Sequence, residues 1–291
     1  MRLRIGYMAA VVTLLAGGWA RADDAALLSY KFVAGQTFSY SIDTKLDVTV
    51  NLSNVGEMAP IPLTATGTIK QTTSQVLPSG DAEVITTFDS LKMAMNGNDQ
   101  DIPSENLPSV TTIISSSGAV KSIKGLENTK ASFISLPLSA LFNACRFCEL
   151  PNGPVKVGDT WSREMAFPTG NGRLRFDNKM LTLLDEDTVR FSQAITGSAG
   201  FSTSTALIGN GSSGKRMTVE GPIKSAGTVS FSTAQGRVIS TEGTADLDLV
   251  MNIPNLASTD PNTAKVHMTY KISQITDKPL AVGSGGSTSG H

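Results

Sequence analysis

The sequence predicts a mainly β protein, built from long antiparallel strands in a curved sheet or half-barrel, with one short helix at about residues 135–148. Three observations support this prediction. Apolar and polar residues alternate over long runs, turn-forming residues separate the runs, and only 17% of the residues are charged and 6% aromatic. Such a composition is typical of β proteins with many turns and solvated, Thr-rich faces.

The longest alternating run extends from Phe38 to Leu52. Its even-numbered positions are apolar apart from Thr44, and its odd-numbered positions are polar, which is the period of a strand with one buried face. At ~3.3 Å per residue this strand would be roughly 50 Å long, well above the usual length, so it belongs in a large curved sheet. Shorter runs at 245–253 and 266–272 repeat the alternation.

Turn-forming residues at 78–81 and 185–187 predict two hairpin tips. In each half of the chain the order of elements is the same: a Gly turn into a strand, a hairpin, and a later Gly turn. This order suggests an internal duplication into two similar β halves, although antiparallel proteins also reuse such turns for geometric reasons. The sequence leaves open whether the halves form one continuous sheet or two sandwiches.

Residues 1–22 have the pattern of a secretory signal peptide. Arg2 and Arg4 precede an apolar run at 8–15, and Ala20-Arg21-Ala22 forms a small-residue cleavage site. No later run approaches the ~20 apolar residues that a membrane-spanning helix needs. We therefore expect export to the periplasm or the extracellular space, without a transmembrane span.

These features divide the chain into five predicted parts. They are a signal peptide at 1–22, a first β-rich half at 23–127, a helical connector at 128–150, a second β-rich half at 151–278 and a flexible tail at 279–291. Loss of the three arginines of the signal peptide lowers the formal net charge of −1 by three. Because the mature chain is mildly acidic and has no basic patch with interleaved aromatic residues, we expect no nucleic-acid partner.

The predicted helix is the one segment that breaks the strand pattern. Ser135 is suited to cap it, and Pro151 ends it. Its apolar face, with residues at helical spacing, consists of Leu138, Leu141, Phe142, Cys145 and Cys148.

Both cysteines of the chain therefore lie near the C-terminal end of this helix. A thioredoxin-like centre would instead place its first cysteine at a helix N-terminus, where the helix dipole lowers the thiol pKa. A zinc site lacks a second pair of ligands, since the only histidines are His267 and His291. We expect a Cys145–Cys148 disulfide after export, with two buried free thiols as the alternative.

Signals for catalysis or for a cofactor are weak. The mature chain contains neither G-x-S-x-G nor H-E-x-x-H. The alternation around His267, Asp246 and Asp248 predicts that these side chains face solvent. The oxygen-rich loop at 96–101 lacks the terminal Glu of an EF-hand. We expect no cofactor, no metal and, on balance, no enzymatic activity.

A possible ligand-binding face is formed by Leu91, Met93 and Met95, which alternate on one predicted strand. Methionine adapts to irregular shapes and suits a cavity wall. Leu138, Leu141 and Phe142 of the predicted helix would cover this face. The alternative is that all of these side chains belong to an ordinary hydrophobic core.

Two sequence patterns resemble a family of exported bacterial β-rich proteins of unknown function. They are Leu28-x-Tyr30-x-Phe32-x-x-Gly35-x-x-x-x-Tyr40 and Pro151-x-x-Pro154-Val155-Lys156-x-Gly158-Asp159-x-Trp161. The resemblance touches both halves and implies no catalytic residues. At the level of fold alone, long strands around a helix are also similar to the periplasmic lipoprotein carriers, half-barrels whose concave face holds acyl chains.

Three classes of function follow from these expectations. The first is an exported binding protein for a hydrophobic small molecule or an envelope protein, which needs a cavity of several hundred Å³ or a docking face. The second is a structural scaffold of the envelope, which needs a filled core and an exposed patch. The third, a carboxylate-dependent enzyme, needs titratable groups that converge in a cleft.

Overall fold

The protein is an all-β structure in the computed structural model. The structure describes residues 25–53, 55–95, 97–103, 107, 109–125, 148–166, 172–204, 216–252 and 261–275. These residues form thirteen strands and contain no helix. The bounds are β1 Thr37–Leu52, β2 Gly56–Glu57, β3 Ile61–Val76, β4 Ala82–Met95, β5 Asn98–Ile102, β6 Val110–Ile114, β7 Val120–Lys124, β8 Thr160–Ala166, β9 Arg173–Leu183, β10 Thr188–Ser204, β11 Arg216–Ser232, β12 Arg237–Asn252 and β13 Asn262–Gln274.

All thirteen strands belong to one antiparallel sheet that curves into a nearly closed barrel. Its order is β7-β6-β4-β3-β1-β13-β12-β11-β10-β9-β8, with β2 beside β1 and β5 beside β4. The first and last strands pair along twelve positions, from Tyr40 opposite Gln274 to Asn51 opposite Thr263. One continuous sheet is therefore formed, and the mainly β prediction is confirmed.

The alternation predicted for 38–52 is confirmed in β1. The even-numbered side chains from Tyr40 to Val48 are buried in the barrel, and the odd-numbered ones from Ser41 to Asp47 are exposed. This division fits a sheet with an apolar inner face and a polar outer face. The two predicted hairpin tips are also present, between β3 and β4 and between β9 and β10.

Two hydrophobic clusters fill the interior of the barrel. One cluster joins β1, β3 and strands β8 to β13, and its centre includes Ile42, Phe176, Ile195 and Met268. The other joins residues before β1 to β4, β6 and strands β8 to β12, and includes Tyr30, Trp161, Phe191 and Phe231. Because close-packed side chains leave little free volume, the second cluster closes its end of the barrel. We call this the closed end.

Residues 25–36, here called the N-terminal segment, cross the closed end. Ala26 forms an isolated bridge with Val155, and the amide of Tyr30 donates to Ser116 O at 2.8 Å. The amide of Lys31 donates to Gly236 O at 3.0 Å, in the turn between β11 and β12. Gly236 has a φ of +61°, and a Cβ there would clash with the Lys31 backbone, so both conformation and space require glycine.

Several predictions fall wholly or partly outside the described residues. The signal peptide at 1–22, the tail at 279–291 and residues 135–147 of the predicted helix are among them. Cys148, the last residue of that helical range, is described, and it has no regular secondary structure. The internal duplication and the domain boundaries stay predictions. Among the described residues, no helix is long and apolar enough to cross a membrane.

Candidate functional site: a polar pocket at the closed end

The predicted ligand-binding face changes from buried to exposed along β4. Leu91 is buried, Met93 is half-buried and Met95 is 50% exposed. Leu138, Leu141 and Phe142 lie outside the described residues. The structure therefore does not test whether this predicted set comes together, and its role in ligand binding stays a prediction.

Cys148 lies at the closed end as a buried free thiol. Its amide donates to the Tyr30 hydroxyl at 3.2 Å, and that oxygen is 3.5 Å from the Cys148 sulfur. Burial raises the pKa of Cys148 to about 12, and burial together with the nearby thiol raises the pKa of Tyr30 well above its ordinary value. Cys145 lies outside the described residues, so the disulfide stays a prediction.

The solvent-facing predictions for the outer surface agree with the structure. Asp246 and Asp248 are exposed on β12, and His267 is half exposed on β13. His267 Nδ1 lies 2.6 Å from Asp246 Oδ1, across neighbouring strands. The part of the chain that the structure describes contains no group of three His, Cys, Asp or Glu side chains that could hold a metal ion.

A small pocket lies where the N-terminal segment crosses β1, β3 and β12. Its enclosed volume is about 30 Å³, and the side chains that matter most to its chemistry are Phe32, Phe38, Tyr40, Gln71, Thr73 and Arg237. A water molecule needs about 10–15 Å³ by this measure, so the pocket has space for about two water-sized groups. A drug-sized ligand needs at least about ten times this volume.

Arg237 supplies the positive charge of the pocket. Its Cζ lies 3.0 Å from the centroid of the Phe38 ring, and its Nη2 donates to Gln36 Oε1 at 3.3 Å. The Nε atom is buried and has no hydrogen-bond partner. Burial lowers the pKa of Arg237, but an arginine side chain stays protonated in proteins. No carboxylate of the described residues forms an ion pair with Arg237.

Gln71 supplies a second donor. Its side chain points inward from β3 and is only 9% exposed, and its Nε2 has no acceptor. A buried donor without a partner costs about 1–3 kcal/mol. Arg237 and Gln71 both line the pocket, so it has two unfulfilled donors and a half-buried positive charge. This arrangement suits an acceptor group with negative charge.

Sequence analysis did not find this pocket. Gln71 and Thr73 break an apolar alternation on β3, which is the one local signal that polar groups face inward. Arg237 directly follows a Gly turn and looks like an ordinary strand start. Only the sheet pairing and the path of the N-terminal segment bring these residues together.

No protein-family model and no curated protein sequence matches the chain. Two solved structures are similar to it at a distance. DynF, from the dynemicin biosynthesis pathway of Micromonospora chersina, shares 10% identity over 88% of each chain, with a TM-score of 0.25. The outer membrane protein OprG from Pseudomonas aeruginosa shares 6% identity over 84% of this chain and 99% of its own, with a TM-score of 0.19. Neither similarity is close enough to assign a family or a function.

Proposed function

We propose that the protein is an exported, non-enzymatic binding protein whose ligand site is the pocket at the closed end. The observation on which this proposal depends is that two residues lining one pocket, Arg237 and Gln71, each have a buried donor without an acceptor, Nε and Nε2 respectively. Native structures satisfy nearly all buried polar groups, so two unsatisfied donors on residues that line one pocket support a bound ligand there. Export is proposed from the signal-peptide pattern at 1–22.

The filled interior argues against a carrier that holds a hydrophobic molecule inside the barrel. Side chains such as Phe176, Phe191 and Phe231 are fully buried there. A ligand of several hundred Å³ would have to displace them, at the cost of the packing that stabilises the sheet. A pocket at the barrel end avoids this cost, because only the head group of a ligand has to enter.

The surface of the pocket favours a ligand with an apolar part. Phe32 and Phe38 are half-buried in its wall, and Tyr40 and Ile272 form its inner side. Aromatic side chains provide large contact areas with little loss of conformational entropy on binding. The ligand that fits this pocket is a small molecule with one polar end.

Native mass spectrometry of the mature protein from its exporting host tests the proposal. We expect an extra mass that disappears on denaturation. The variant Thr73→Leu, which places more bulk in the pocket, should lose this mass, whereas Ser74→Leu on the exposed face beside it should retain it. Circular dichroism and the melting temperature would show that both variants fold.

A bare mass for the wild-type protein would contradict the proposal. It would favour the second candidate, an envelope scaffold without a small ligand. The filled interior is the observation that supports this second candidate, since a scaffold needs a packed core and no cavity.

A further inference from the structure

The charged side chains that line the closed-end pocket are both positive. Arg237 and Lys31 line it, and no Asp or Glu is among the described residues that do so. Lys31 is exposed at the surface, and its ammonium donates to Ala234 O at 3.3 Å. The two cations therefore give the pocket a positive potential that increases toward Arg237, where burial excludes water.

The half-buried guanidinium of Arg237 has no internal counter-charge in the described part of the protein. Gln36 accepts one of its hydrogen bonds and Phe38 faces its charge, but both are neutral. A ring face and a neutral amide compensate only part of the cost of removing a charge from water. An anion that accepts a hydrogen bond from Arg237 Nε would offset the rest of this desolvation cost.

The second donor restricts the kind of anion. Gln71 lines the same pocket and its Nε2 has no acceptor, so a ligand with two acceptor atoms that reaches both residues satisfies both groups. A carboxylate has two oxygens that accept hydrogen bonds in its plane, and it pairs well with arginine. Its three heavy atoms suit a volume of about 30 Å³.

We propose that the pocket binds a small carboxylic acid with an aromatic or apolar tail, whose carboxylate accepts hydrogen bonds from Arg237 and Gln71. This inference rests on the proposed function, because it names the ligand class of the same pocket. The tail lies toward the mouth, against Phe32 and the methylene chain of Lys31. A buried water molecule would satisfy the donors too, but it would leave the guanidinium charge uncompensated.

Isothermal titration calorimetry with benzoate and with benzamide tests the proposal on the full mature chain. The two probes share the ring and differ in charge. We expect benzoate to bind at least about tenfold more tightly than benzamide, because a charge-assisted hydrogen bond is about twice as strong as a neutral one. We expect benzoate affinity to decrease with added salt, since screening weakens the attraction to the exposed Lys31.

Three variants and one control define the contacts. Arg237→Met should lower benzoate affinity by at least about tenfold, and Gln71→Met should lower it less, because it removes one neutral donor. Arg173→Met is the matched control, since it removes an exposed arginine that does not line the pocket. Arg237→Lys retains the charge but lacks the Nε donor, so we expect its benzoate affinity to lie between those of the wild type and Arg237→Met. If Arg237→Met does not fold, Arg237→Lys takes its place in the test.

The outcomes separate the two proposals. Equal binding of benzoate and benzamide, both sensitive to Thr73→Leu, would overturn the carboxylate inference and leave the binding function intact. Benzoate binding that Arg237→Met and Arg237→Lys leave unchanged would also overturn it. If neither probe binds and native mass spectrometry shows a bare chain, the binding function fails as well.

Discussion

The guanidinium of Arg237 lies over the ring of Phe38, with 3.0 Å between Cζ and the ring centroid. Phe38 lies on β1 and Arg237 begins β12, and β13 separates these strands in the sheet. The contact thus spans three strands of the closed end. It holds a positive charge at the pocket by an interaction with a neutral ring, which leaves that charge available to a ligand.

The coupling between Arg237 and Phe38 can be measured in a double-mutant cycle of Arg237→Met and Phe38→Leu. We expect a coupling free energy of about 0.5–2 kcal/mol in the free energy of unfolding, as for other cation–π pairs. Urea unfolding of the four proteins provides the values. The control is the same cycle with Arg173→Met in place of Arg237→Met, which should give no coupling free energy. Equal coupling free energies in the two cycles would show that the coupling does not come from the contact between Arg237 and the Phe38 ring.

Gly236 fixes the N-terminal segment against the turn before β12. Gly236→Ala should destabilise the protein by about 3 kcal/mol, because it adds both a strained positive φ and a clash with the Lys31 backbone. Gly80→Ala is the matched control. Gly80 also has a positive φ, of +82°, but a Cβ there would meet nothing within 4 Å, so we expect a loss of about 1 kcal/mol. Equal losses would mean that the segment does not approach Gly236 closely.

The hairpin tip between β3 and β4 should make stability depend on acid pH. Lys121 Nζ lies 2.6 Å from Asp81 Oδ2, and Ser79 Oγ donates to the same oxygen at 2.7 Å. The bond from Lys121, and then that from Ser79, lower the pKa of Asp81. A carboxylate whose pKa is lowered by folding stabilises the protein above its unfolded pKa of about 3.9. This stabilisation disappears as the pH falls through the lower, folded pKa.

The measurement compares the unfolding free energies of the wild type and Asp81→Asn between pH 7 and pH 2. The difference should be largest at neutral pH and shrink below about pH 4. Asp89→Asn, which breaks an exposed pair with Lys70, is the control and should have little effect. A difference between wild type and Asp81→Asn that stays constant over the whole range would contradict the role of Asp81.

Cys148 should be unreactive in the folded protein. Its thiol is buried, and its pKa of about 12 leaves almost no thiolate at pH 8. With a reductant present, we expect iodoacetamide to label Cys148 only after denaturation, as followed by peptide mass spectrometry. Rapid labelling in the native state would contradict the packing at the closed end. Without reductant, failure to label the denatured chain would support the predicted Cys145–Cys148 disulfide.

Much of the fold was predictable, because the alternation of apolar and polar residues along a strand indicates which side chains face the barrel interior and which face solvent. The alternation from Phe38 to Leu52 corresponds to β1 almost residue for residue, and the turns at 78–81 and 185–187 are present. The joining of the two halves into one sheet was not predictable, since the pairing of β1 with β13 connects residues more than two hundred positions apart. A period of two also cannot distinguish a filled barrel from one with a cavity.

The candidate pocket could not be predicted from the sequence, for a related reason. Gln71 and Arg237 come from separate regions of the chain, and no spacing rule connects them. Each one alone has an ordinary interpretation as a polar residue near a turn or a strand end. Their common feature, a buried polar atom without a hydrogen-bond partner, exists only once the strands have paired and the N-terminal segment has crossed the barrel end.

The most direct test is a ¹H–¹⁵N NMR titration that follows the arginine Nε–H and glutamine amide resonances as benzoate is added. Arg237→Lys and Gln71→Met assign the two signals by their absence. If the carboxylate binds between Arg237 and Gln71, both signals shift together and saturate with one dissociation constant, while the Nε–H of exposed Arg173 does not move. Carboxylate binding there would be contradicted if the Arg237 and Gln71 signals stayed in place throughout the titration, or if they shifted no more than that of Arg173.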